Sequence, residues 1–119
     1  MTQGIRDERL GKYGFEPLDE AGYKTPAPIE NFTAVWVPDK QYVEMHWSES
    51  KNAKQYEVYG AQKPADPNEN PKFQRLAKTE HLFYHYPDAK AGKTYVFKAR
   101  GFTHFKQGEF SEIVEVSAA

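Results

Sequence analysis

From Pro28 onward, apolar and polar residues alternate with a period of two. Phe32, Ala34 and Trp36 are separated by Thr33 and Val35, and Val43, Met45 and Trp47 by Glu44 and His46. Tyr56 and Val58 are flanked by Gln55 and Glu57. Leu82, Tyr84 and Tyr86 alternate with Phe83 and His85. Tyr95, Phe97 and Ala99 alternate with Val96, Lys98 and Arg100, and Val114 and Val116 enclose Glu115. Successive strand side chains point to opposite faces, so each stretch predicts a strand with one face in a core and the other in solvent. A short strand around Phe73 to Ala77 brings the expected number to about seven.

Turn chemistry separates these stretches. Pro38-Asp39-Lys40-Gln41 and Ser50-Lys51-Asn52-Ala53 read as tight turns. Lys63 to Pro71 holds three prolines, which cannot join a sheet interior, and is the longest expected loop. Gly92 and Gly108 mark two more turns, and no strong helix is expected after Pro28. Many short strands at this spacing predict an all-β sandwich or a small barrel.

Residues 1–27 read differently. Their apolar side chains, Ile5, Leu10, Tyr13, Phe15, Leu18 and Tyr23, follow no sustained period and are interrupted by Gly and Pro. The expected organisation is an extended N-terminal arm over residues 1–27 and one domain over residues 28–119. Ile5, Leu10, Tyr13, Phe15 and Tyr23 are the arm's candidate anchoring residues, because a purely flexible leader has no need of spaced aromatics.

Composition narrows the function. Basic and acidic residues nearly cancel, with a net charge of −1, and neither the arm nor the domain has a basic excess. No footprint for nucleic acid or an anionic membrane is expected. Cysteine is absent, which excludes disulfides and thiolate chemistry. The opening residues have no apolar h-region, so a secretory signal is not expected, and no apolar run approaches the ~20 residues of a membrane span.

Several segments resemble fibronectin type III domains. Pro28-Ile29-Glu30-Asn31-Phe32-Thr33-Ala34 is similar to the opening strand, Val43 to Trp47 to the second, and Gln55 to Tyr59 to the third. In Ala89-Lys90-Ala91-Gly92-Lys93-Thr94-Tyr95-Val96-Phe97-Lys98-Ala99, residues Gly92, Tyr95 and Phe97 stand where the family has Gly, Tyr and Phe. Gly108-Glu109-Phe110-Ser111 resembles its Gly-x-x-Ser entry to the last strand. The resemblance implies a seven-stranded sandwich with Trp47, Gly92, Tyr95 and Phe97 as structural pins. Ala89 stands where the family usually has Leu, and Ala91 where it usually has Pro, so that corner is expected to be less stiff, with Tyr84, Tyr86 or Trp36 filling the core. Tyr95 is placed to send its hydroxyl back to the backbone of the preceding corner.

Catalytic chemistry finds little footing. His81 and His85 lie four apart in a strand, about 13 Å along it, too far to share a metal ion. Ser48, Ser50, Ser111 and Ser117 sit in no nucleophile-elbow motif, and no phosphate loop or dinucleotide fingerprint occurs. No enzyme activity, metal or cofactor is expected.

Outward aromatics are the stronger signal. Tyr59, Phe83 and Tyr42 fall on outward parity, and residues 102–110 read as a loop between the last two strands with three phenylalanines. The resemblance implies a recognition loop there. Phe105, His104, Lys106 and Phe110 are its candidate contact residues, although Phe102 or Phe110 could instead cap the end of the sandwich.

The leading expectation is a non-catalytic structural or binding protein that docks on a larger assembly, by fold-level analogy a bacteriophage head or tail decoration protein. Its partners would be capsid or tail proteins and weakly held host surface glycans, with no nucleic acid or membrane, and its location the virion. The alternative is a carbohydrate- or protein-binding module of a larger secreted protein. A third reading is an adaptor that pairs a sheet edge with a partner strand.

Overall fold

The computed structural model describes residues 24–119. Two antiparallel sheets face each other. The smaller contains β1 (Thr33–Val37), β2 (Tyr42–His46) and β5 (Phe83–Tyr86) in the order β1-β2-β5. The larger contains β3 (Gln55–Gln62), β4 (Gln74–Thr79), β6 (Thr94–Thr103), β7 (Lys106–Gln107) and β8 (Val114–Ser117). In it β4 pairs with β3, β3 with β6, and β6 with both β7 and β8. The seventh strand expected from the sequence is β8, and β7 is an additional two-residue strand within the stretch expected to be a loop.

The period-two pattern places the core where it was expected. Val43, Met45, Trp47, Tyr56, Val58, Tyr95, Phe97, Ala99 and Val116 are buried between the sheets. Phe97 is 1% exposed, and burying such a side chain contributes roughly 1.5–3 kcal/mol. Trp47 packs between Phe32 and Tyr56, with ring centroids 6.0 and 5.8 Å away. Leu82 departs from the pattern and is exposed. It precedes β5, so strand parity does not reach it, and its carbonyl accepts the Trp47 N–H at 3.1 Å.

The β5–β6 corner carries the alanines. The Tyr95 hydroxyl accepts the Lys90 N–H at 2.8 Å, and Gly92 turns the chain with φ +86°. Ala89 is buried, and the three residues expected to fill the core all pack against it half-buried: Trp36, Tyr84 and, at this corner, Tyr86. The Tyr86 ring meets Tyr95 and Phe97 edge-on at 5.8 and 5.6 Å.

The folded part starts earlier than Pro28. The Ala27 N–H donates to the Lys51 carbonyl at 3.0 Å, and the Ser50 hydroxyl donates to the Ala27 carbonyl. Pro26 is buried against Gly101 and Gly108. A Cβ on Gly108 would lie 2.6 Å from the Pro26 carbonyl oxygen, and one on Gly101 2.9 Å from the Pro26 Cβ. These glycines form a notch for the segment, so Pro26 and Ala27 belong with the domain and not with the arm.

Candidate functional site

The expected long loop after Phe102 is a hairpin. β6 runs on to Thr103, and Thr103 pairs with Lys106, leaving only His104 and Phe105 in the turn. Both residues have positive φ, 45° and 75°. Two-residue hairpins favour turns of this kind because their twist matches that of the flanking strands, but the positions suit Asn and Gly. A bulky residue with φ above zero is strained. Phe105 is nevertheless 87% exposed, and its ring meets the His104 ring at 5.2 Å. Lys106 is half-buried at the base of the hairpin.

Phe110 does not join this tip. It lies on the outer face of the larger sheet, edge-on to Tyr59 at 5.1 Å and beneath Lys98 and Arg100. Phe102 faces the same way, because Gly101 and Thr103 on either side of it point inward, and Lys78 sits over its ring. Neither phenylalanine caps the end of the sandwich.

That outer face holds a polar centre that the sequence reading missed. Glu57 has outward strand parity, yet it is only 2% exposed. Its carboxylate accepts from Arg100 Nε at 2.8 Å and from Arg75 Nη1 at 3.1 Å, and Arg100 also donates to the Tyr59 hydroxyl at 3.0 Å. Burial of a carboxylate is offset only by such paired donors. A lone Glu in an alternating strand carries no sign of this, since its partners come from β4 and β6.

The outer face of the smaller sheet gathers three of the four histidines. The rings of Tyr42 and His85 stack at 4.4 Å, those of His81 and Phe83 at 5.4 Å, and Phe83 is 44% exposed. His46 Nε2 lies 2.7 Å from Glu44 Oε2, and His85 Nε2 lies 3.9 Å from the same oxygen. Among the described residues no group of three His, Asp or Glu side chains is placed to hold a metal ion. The ends of β4 and β5 border an open cleft of about 600 Å³, walled by Gly60, Leu76, Tyr86, Ala89 and Tyr95 and rimmed by Lys72 and Lys90. Burial first, and the nearby Asp88 second, raises the Tyr84 phenol above its usual 10.0. Tyr86 is raised by burial, then by Tyr95 and Asp88.

Trp47, Tyr95, Phe97 and Gly92 all contribute to the sandwich, while His104, Phe105 and Lys106 come together at the hairpin. The arm residues Ile5, Leu10, Tyr13, Phe15 and Tyr23 lie outside the described residues.

No protein-family model and no curated protein matches the sequence. Solved structures match the fold. FN3tt aligns with a TM-score of 0.65 at 20% identity, over 81% of this chain and 99% of its own. A Fn3-like protein from Clostridium thermocellum aligns with a TM-score of 0.63 at 14% identity, over 80% and 92% of the two chains. A cytokine receptor complex contains a chain that aligns with a TM-score of 0.65 at 18% identity, over 80% of this chain and 52% of that one. The fold is a fibronectin type III-like β-sandwich. At these identities the likeness is one of architecture.

Proposed function

We propose that the chain is a non-catalytic, protein-binding fibronectin type III-like module that docks through the β6–β7 hairpin with Phe105 as its anchor. The observation that carries this reading is a large apolar ring, 87% exposed, held on backbone of positive φ. Strained backbone persists where something outside the local contacts selects it, and exposed aromatics are common binding anchors. A cytokine receptor complex among the structural likenesses agrees with protein recognition by this architecture in general. A single ring supplies little affinity, so docking of this kind gains most in an assembly that presents many copies. A phage head or tail is one such assembly, and the virion location is part of this proposal.

The test is capture of partners from the native source on the intact chain and on Phe105→Ser. A partner retained by the wild type and lost with Phe105→Ser, at an unchanged melting temperature, supports the reading. Equal retention by both proteins refutes it.

A further inference from the structure

The outer face of the larger sheet concentrates charge that the composition conceals. The chain carries −1 overall. On this face Arg75 and Lys78 of β4 pair with Tyr59 and Glu57 of β3, and on the other side of β3 stand Lys98 and Arg100 of β6. Four cations therefore surround one carboxylate. That carboxylate, Glu57, is 2% exposed beneath Arg75 and Arg100, so little of its charge faces solvent. Glu115, further along the same face, is paired with Lys63 at 3.0 Å.

A β-bulge creates this arrangement. The register of β3 with β4 shifts between Val58 and Tyr59, so that Ala77 and Arg75 face consecutive β3 residues and Leu76 is the extra one. Arg75 and Lys78, three apart in sequence, consequently share a face. In an unbroken strand they would point to opposite sides.

The aromatic rings here hold the cations in place. Lys78 Nζ sits 3.7 Å from the centroid of Phe102, and Lys98 Nζ 4.3 Å from Phe73 and 4.0 Å from Phe110. Arg100 lies 4.5 Å from the Phe110 centroid. Bases that stack on a protein need open ring faces, and these rings are occupied by their own cations. Recognition by charge is what remains. Strand geometry spaces the cations about 7 Å apart along β6 and about 10 Å apart from β4 to β6. One small anion cannot span both rows, whereas a run of carboxylates can. Guanidinium–carboxylate pairing is already present at Glu57.

We propose that this face docks an acidic polypeptide segment of a partner protein, an extended run of Asp and Glu side chains lying over β4, β3 and β6. The surface is separate from the Phe105 tip and stands independently of it.

The test is titration of the full chain with a short poly-L-glutamate peptide at low salt, followed by calorimetry. A protein of net negative charge binds a polyanion only through a segregated cationic face. The expected result is saturable binding that weakens as salt is added. Lys78→Gln with Lys98→Gln should lower the affinity about two- to thirtyfold, the worth of two exposed ion pairs. This double variant leaves both arginines on Glu57, and an unchanged melting temperature checks its fold. Phe105→Ser should bind the peptide like the wild type. Absence of binding overturns the proposal, as does full affinity in the folded double variant. Tighter binding of heparin or of a single-stranded oligonucleotide of matched charge also overturns it, by assigning the face to another polymer.

Discussion

Replacing His104-Phe105 with Asn-Gly should make the domain more stable while removing its proposed anchor. His104 and Phe105 occupy the two central positions of the β6–β7 turn with φ of 45° and 75°. An L-residue with a Cβ in the left-handed region costs roughly 1–2 kcal/mol. Glycine removes that cost at residue 105 but brings back about 0.5–1 kcal/mol of chain entropy. Asparagine tolerates the left-handed region at residue 104 and recovers part of the cost there. The Phe105 contacts given up are small, because its side chain is 87% exposed and its ring packs on that of His104, while the further interaction made by His104 is set against the gain. The net expectation is a gain of about 1–2 kcal/mol, and about 4–8 °C in Tm per kcal/mol for a domain of this size. Thermal unfolding followed by circular dichroism, beside a partner-binding assay, measures both consequences. An unchanged or lower Tm would refute the reasoning, since it would mean that the native pair makes intrachain interactions worth the strain. A higher Tm with undiminished partner binding would keep the strain argument and remove Phe105 from the interface.

Three further outcomes are expected. Tyr95→Phe leaves the Lys90 N–H of the β5–β6 corner without its acceptor. It should cost about 1–3 kcal/mol in chemical denaturation, with the sheets retained by circular dichroism. Gly108→Ala places a Cβ 2.6 Å from the Pro26 carbonyl oxygen. It should cost about 1–3 kcal/mol by overpacking and speed amide exchange at Ala27, whose N–H is bonded to Lys51. The raised Tyr84 and Tyr86 phenols predict lability to alkali. Below pH 10 both folded and unfolded chains keep these protons; above it the unfolded chain loses them first, so stability falls as pH rises toward the folded values. Tyr86→Phe should flatten that fall in a pH series of melting curves, and an identical slope would place the titration elsewhere.

The sandwich was legible in the sequence because its main cause is local. A strand's two faces alternate residue by residue, so Val43, Met45 and Trp47, or Tyr95, Phe97 and Ala99, announce an inward face without reference to any neighbour. The Tyr95 corner was legible for the same reason, since its hydroxyl reaches a backbone group only five residues away. Local pattern stops at strand ends, which is why Leu82, just outside β5, was expected inside and is exposed.

Tertiary structure alone decided the sites. Glu57 is buried on an outward face because arginines from two neighbouring strands converge on it, and pairing partners are not written into one strand. Arg75 joins Lys78 because a bulge inserts Leu76, a register choice made between β3 and β4 together. The apparent loop of three phenylalanines separates into a strained tip and a packed face, since pairing of Thr103 with Lys106 closes the turn at two residues. Pro26 joins the domain because glycines 75 and 82 residues further along the chain leave room for it. Within an unbroken strand, which way a side chain points was therefore set by the sequence itself, through the period of the strand, whereas where that period breaks, and what each side chain meets, depended on strands far away in the chain, through their pairing and packing.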